Sequence, residues 1–313
     1  MTSHTAAEIA SQPACWRRAA ESLPRHADVL PRRGERVAVT GCGTSWFMAQ
    51  AYAALREGGG HGETDAFAAS EFPHGRRYDR VLAISRSGTT TEVLDLLARA
   101  RAAGVPTGAL TADPATPVVA LADTVAVLDF ADERSVVQTR FATTALALLR
   151  ARLETEDALP AGVRPLARAV RDAERAVTEP LPAALDGAEQ FTFLGRGWTH
   201  GLALEAGLKL REAAGAWTEA YPAMEYRHGP IAIAAPGRVT WTFGPLPDGL
   251  TEDIARAGGR LVAGSGDAAA DLDPLADLVR AQRLAVAVAA ARGCDPDRPR
   301  HLTRSVVLRD HGA

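Results

Sequence analysis

The stretch Ser85-Arg86-Ser87-Gly88-Thr89-Thr90 packs serine and threonine around one glycine, between an apolar run and an amphipathic one. A strand that ends in such a turn and opens into a helix presents backbone N–H groups and the positive end of a helix dipole to an anion. Gly88 permits close backbone approach, Ser85, Ser87 and Thr90 can donate through hydroxyls, and Thr89 or Thr90 can also cap the helix. The chemistry predicted is phosphate binding. Gly41-Cys42-Gly43-Thr44-Ser45 is a second loop of the same kind. It is not a dinucleotide fingerprint, because Trp46 stands where the third glycine is required, and no GxxxxGK[ST] sequence occurs.

Proton-transfer chemistry has its own candidates. Glu205, Lys209 and Glu212 are spaced by four and three, so on a helix they share one face. Of 35 basic residues, Lys209 is the only lysine, so it is the chain's one side-chain amine. His228, in Glu225-Tyr226-Arg227-His228-Gly229-Pro230, adds an imidazole able to move a proton near neutral pH.

These residues need elements to hold them. Strand and helix signals alternate, as in a parallel sheet covered by crossover helices. Predicted strands are Arg36 to Thr40, Arg80 to Ile84, Val105 to Leu110 and Val125 to Leu128; predicted helices are Trp46 to Arg56, Thr90 to Ala103 and Thr139 to Leu153. A charged stretch with Pro160, Pro165, Pro180 and Pro182 follows. The pattern then restarts with strand Gln190 to Leu194, loop Gly195-Arg196-Gly197 and helix Leu202 to Ala214, and continues with strands Val239 to Phe243 and Arg260 to Ala263 and helix Leu275 to Arg292. The expected organisation is a helical segment 1–27, a first domain 28–153, a helical linker 154–185, a second domain 186–294 and a tail 295–313 that reaches the active site.

With 313 residues, 47% hydrophobic, the chain is long enough for two domains. The net charge of −3, with arginines scattered among acids, argues against nucleic acid as a partner. Cys15, Cys42 and Cys294 lie far apart, so no zinc site or disulfide framework is indicated and a reducing cytoplasm is expected. His and Asp/Glu do not cluster at ligand spacing, and neither metal nor cofactor is expected. No apolar run approaches the roughly 20 residues that span a bilayer, and the N-terminus lacks the apolar core of a signal peptide.

At these residues the sequence resembles the sugar isomerase (SIS) family, and more closely the isomerase half of glucosamine-6-phosphate synthase. Glu8-Ile9 with Gln12-Pro13 looks like the opening segment, and Gly41 to Ser45 and Ser85 to Thr90 like the two loops. Leu204-Glu205 through Leu208-Lys209-Leu210-Arg211-Glu212 looks like the second-domain helix, followed at the family's spacing by Glu219 to Ala223 and Glu225 to Pro230. The resemblance implies an α/β fold of two tandem SIS domains, each a three-layer αβα sandwich with a mainly parallel, doubly wound, flavodoxin-like sheet. It implies a phosphorylated sugar as ligand, contacted by Thr44, Ser45, Ser85, Arg86, Ser87 and Thr90, and a homodimer in which His228 acts on the partner's site. Glu212 is implied as the carboxylate for carbon proton transfer through a cis-enediol, Lys209 as the group that holds or tunes it, and His228 as the ring-opening group.

Two departures bear on substrate. Arg304, in His301-Leu302-Thr303-Arg304-Ser305-Val306, stands where the synthase has the lysine that forms a Schiff base with the ketose, and a guanidinium forms no imine. Arg304 is expected instead to bind a carbonyl oxygen or phosphate. In Glu133 to Arg140, Gln138 replaces a serine and Arg140 a lysine, which implies an altered sugar. Nothing matches the family's glutaminase domain, so glutamine-dependent amination is not expected. The expected activity is isomerisation, or isomerisation with loss of an amine; the alternative is a noncatalytic sugar-phosphate sensor, for which Glu212 and His228 would be superfluous.

Overall fold

The structure, a computed structural model, describes residues 3–185, 187–267 and 269–308. Residues 15–163 and the tail from His301 make one compact unit, and residues up to Ala14 with 164–300 make the other. The units are therefore discontinuous in sequence, with the tail belonging to the unit that carries the hydroxyl-rich loops. Among the described residues no helix is long and apolar enough to cross a membrane.

The chain opens with α1 (His4–Ala10) and α2 (Gln12–Ser22). Ser3 caps α1 by accepting from the Ala6 N–H, and the Asp297 carboxylate accepts from the His4 and Thr5 N–H groups at 2.7 and 2.8 Å, which ties this end to residue 297 of its own unit.

In the loop-bearing unit the order is β1 (Val37–Gly41), α3 (Thr44–Gly58), β2 (Thr64–Ala68), β3 (Arg80–Ile84), α4 (Thr91–Ala102), β4 (Thr107–Thr111), α5 (Pro117–Leu121), β5 (Thr124–Val127) and α6 (Arg140–Thr155). The five strands form an all-parallel sheet of order β2-β1-β3-β4-β5. Every residue of β1, β3 and β4 is buried, as expected of parallel strands covered on both faces. The stripe Val93, Leu96, Leu97 and Ala100 turns α4 onto this sheet, against Val81 and Ala83. Strand β2 has no predicted counterpart. It is an edge strand, mostly half-buried, whose Thr64-Asp65-Ala66-Phe67-Ala68 has no continuous apolar run.

The other unit has α7 (Leu166–Thr178), β6 (Gln190–Gly195), α8 (Thr199–Ala214), β7 (Trp217–Pro222), β8 (Arg238–Phe243), α9 (Leu250–Arg256), β9 (Arg260–Val262) and α10 (Pro274–Ala291). Its parallel sheet has the order β7-β6-β8-β9, the first four positions of the other sheet repeated. Phe191, Phe193, Trp241 and Phe243 from the two central strands form its aromatic core. The first strand of each unit ends at a glycine that the following helix overlies. A Cβ at Gly41 would lie 2.7 Å from Ser45 Cβ, and one at Gly195 would lie 2.3 Å from the Thr199 carbonyl oxygen.

Arg56, at the end of α3, is fully buried and donates Nε–H to Nδ1 of the equally buried His61 at 3.1 Å. The opposite nitrogen, Nε2, lies against the Glu156 carboxylate, so the neutral tautomer that fits both partners carries its proton on Nε2. Burial holds the His61 imidazole below its usual pKa, and the Arg56 charge acts in the same direction against the bond to Glu156. The unfolded chain therefore takes up a proton at this residue before the folded chain does. Stability from neutral His61 is complete above about pH 6.5 and declines as pH falls from there through the lower folded value. The thermal midpoint is expected to fall across this window, and to fall less in His61→Gln, as measured by calorimetry.

Candidate functional site

The two hydroxyl-rich loops follow β1 and β3, which are adjacent in the sheet. Chain order reverses direction between them, making this the topological switch point, where the carboxyl ends of open α/β sheets form a ligand crevice. Thr44 and Ser45, on the first turn of α3, are both buried. The Cys42 thiol beside them is pushed up to about 11 by burial and by the nearby Glu92 charge, so it stays protonated and is a poor nucleophile.

The Ser85–Thr90 loop is folded on its own hydroxyls. Ser85 Oγ accepts from the Gly88 N–H at 3.2 Å, Ser87 Oγ from the Thr89 N–H at 3.3 Å, and Ser87 Oγ lies 3.4 Å from Thr90 Oγ1. Thr90 occupies the N-cap position of α4, yet its hydroxyl makes no capping bond. Capping therefore does not account for the hydroxyls, and Ser87 and Thr90 present a pair at the helix entrance. Gly88 has φ +61°, and a Cβ there would meet Thr116 Oγ1 at 2.1 Å, an atom held by its bond to the Asp113 carbonyl. Gly88→Ala must displace the loop. Phosphate affinity, followed by calorimetric titration, is expected to fall by about tenfold or more, with the sheet's thermal stability changed far less.

Arg86 is buried, and its side chain leaves the loop. Its guanidinium donates to the Ser135, Val136 and Arg304 carbonyls at 3.1, 3.2 and 2.9 Å and pairs with Glu133 at 3.4 Å. The other Glu133 oxygen accepts from the Thr139 and Arg140 N–H groups and the Thr139 hydroxyl, which caps α6. One buried carboxylate thus fixes the Ser85–Thr90 loop and the start of α6 together. Sequence reading passed over Glu133; the signal available was an acid a few residues ahead of a predicted helix.

Gln138 lies between these points, and its buried Nε2 has no partner among the described residues. Arg304 is on the tail, where its guanidinium donates to the Asp132 carboxylate and the Glu133 carbonyl. The tail is further joined to the loop: Thr89 Oγ1 bonds to Ser305 Oγ at 2.9 Å, and the Thr91 N–H donates to the Val306 carbonyl at 3.2 Å. The structure thus gathers Thr44, Ser45, Ser85, Arg86, Ser87, Thr90, Gln138 and Arg304 in one unit.

Lys209, Glu212 and His228 belong to the other unit. Glu205 and Lys209 are buried in α8, with Nζ 3.5 Å from Glu205 Oε1, and Nζ also donates to Glu212 Oε2. The side chains of Glu205, Lys209 and Glu212 are 0%, 1% and 20% exposed, so this is an interior network with one carboxylate reaching its surface. His228 closes the 3₁₀ turn Glu225–His228 and is exposed.

Residues 32–152 match the SIS domain. The loop-bearing unit carries a SIS domain. The match is to one SIS domain, where two in tandem were expected, and residues 164–300 lie outside it even though their sheet repeats the strand order. The second unit's sheet has four strands, and its β9 is three residues long. The chain is 30% identical to a glutamine–fructose-6-phosphate aminotransferase (isomerizing) of Gloeobacter violaceus, over 88% of this chain and 52% of the relative. It is 32% identical to the enzyme of that name in Thermus thermophilus, over 89% and 53%. The chain thus spans about half the length of these curated relatives. Among solved structures, glucosamine-6-phosphate deaminase of Thermotoga maritima shares the fold with a TM-score of 0.82 and 24% identity, over 98% of this chain and 100% of that one. Tagatose-6-phosphate ketose/aldose isomerase of Escherichia coli does so with a TM-score of 0.77 and 17% identity, over 99% and 98%.

Proposed function

We propose that this SIS protein acts on a phosphorylated ketose, aldose or amino sugar, opening the ring and moving a proton between adjacent carbons through an enediol. The observation that carries the reading is the α8 network. Lys209 grips one oxygen of Glu212 from inside, while Oε1 accepts no bond among the described residues. A carboxylate oriented in this way can take a proton from carbon and return it one carbon away.

The roles follow from side-chain chemistry. The Ser87 and Thr90 hydroxyls and the helix entrance bind phosphate, with Ser45 and Ser85 supporting them. The free Gln138 amide donates to a sugar hydroxyl. His228 moves the proton that opens the ring, and Glu212 carries the carbon proton. Arg304, engaged with Asp132, anchors the tail and forms no covalent bond to substrate. For an amino-sugar phosphate the same proton transfer converts the carbon bearing nitrogen to an imine, which water hydrolyses with release of ammonia. The repeated strand order and the glycine pair Gly41 and Gly195 support a diverged second SIS-like unit. We also propose a homodimer in which His228 serves the partner's site; exposed Trp217 and Met224 in the same stretch of chain support an interface there.

Incubating the protein with phosphorylated ketoses, aldoses and 2-amino aldoses, while following ammonia and the anomeric proton signals, tests the reading. Turnover of one sugar class is expected, with ammonia marking a deaminase. Saturable binding without turnover of any sugar would leave a noncatalytic sensor.

A further inference from the structure

At the opposite end of α4 from the phosphate loop, a cleft of about 350 Å³ opens among Phe72, His74, Arg76, Tyr78, Val81 and Arg99, within the loop-bearing unit. It sits at the amino ends of β3 and β4, whereas the phosphate loop sits at the carboxyl end of β3. The 12 residues of α4 therefore put roughly 18 Å between the two places. The volume falls in the range of small-molecule pockets.

Its lining is chemically one-sided. The floor is aromatic, with Phe72 and Tyr78 ring centres 5.9 Å apart, and no Asp or Glu lines it. Three basic side chains stand around that floor. Arg76 has a carboxylate at 3.7 Å, that of Asp65, which also accepts from the Tyr78 hydroxyl at 2.7 Å. Arg99 has none. Its polar partner among the described residues is His74, Nη1 to Nε2 at 3.4 Å, so an arginine and a histidine face each other without a counter-ion. A second base is a poor partner for a guanidinium. A bidentate carboxylate between Arg99 and His74, with Arg76 close by, would satisfy both.

We propose that this cleft binds a small organic anion consisting of one carboxylate head and a flat apolar body, the head on Arg99 and His74 and the body against Phe72 and Tyr78. The site is separate from the phosphate loop and independent of the reaction proposed above.

Titrating the full chain with phenylacetate, followed by amide NMR, tests it. Saturable shifts are expected at residues 74–78 and 100–105, with none at 85–90. Uncharged phenylacetamide, and phenylacetate with the exposed-site variant Arg99→Met, are each expected to bind about tenfold more weakly, the loss of a charge-assisted pair. Absence of saturable shifts at the cleft, shifts confined to 85–90, or equal binding by phenylacetamide or by Arg99→Met would each overturn the proposal.

Discussion

Glu212→Gln is expected to lower kcat by on the order of 10²- to 10⁴-fold while leaving KM for the sugar phosphate close to its original value. The amide keeps the shape of the carboxylate and can still accept from Lys209 Nζ, so α8 stays folded. What it loses is the ability to bind and return a proton. The hydroxyls proposed to bind phosphate, on Ser45, Ser85, Ser87 and Thr90, belong to the other unit, so ground-state binding is expected to be retained. Steady-state kinetics on the sugar that turns over makes the check. A large rise in KM with unchanged kcat would mean that Glu212 binds substrate and transfers no proton.

Lys209→Met is expected to be strongly destabilising, costing about 3–5 kcal/mol. Lys209 and Glu205 are 1% and 0% exposed, and the substitution removes a positive charge 3.5 Å from a carboxylate deep in α8. A solvated helical pair at the same spacing contributes only about 0.3–0.5 kcal/mol, so the two situations differ by an order of magnitude. Urea denaturation distinguishes them. Combining Lys209→Met with Glu205→Leu is expected to recover most of the loss, because an apolar pair of similar volume replaces the ionic one. Recovery of folding without recovery of kcat in the double variant would also separate the structural part of Lys209 from its grip on Glu212.

The sheet's interior was legible in the sequence because strands buried on both faces are written as runs of apolar residues and threonine with no charge inside them. Arg80–Ile84 was read to the residue, and the strands begun at Arg36, Val105, Gln190 and Val239 shifted by a residue or two. Edge strands carry no such run. Thr64–Ala68 mixes Thr and Asp with small residues, and Trp217–Pro222 holds Glu219 and ends in proline, so neither was read as a strand. The phosphate loop was legible for a local reason, since its hydroxyls and Gly88 are consecutive. Its support was not: Arg86 and Glu133 are 47 residues apart, and Arg86 reaches the Arg304 carbonyl across 218. The sequence places the Arg86 backbone beside the expected phosphate, and only three-dimensional placement shows its guanidinium turned to Glu133. Burial decided the remaining ambiguity. The spacing of Glu205, Lys209 and Glu212 fits a solvated face equally well, and it is the apolar surroundings of α8 that make the set a network.

Proton transfer at carbon is tested most directly by proton NMR in D2O with the sugar phosphates above, run beside Glu212→Gln. Deuterium appearing at the carbon next to the carbonyl, and failing to appear with the variant, is the result expected. Sugar phosphates that bind at the Ser85–Thr90 loop yet keep every carbon-bound proton would contradict proton transfer by Glu212.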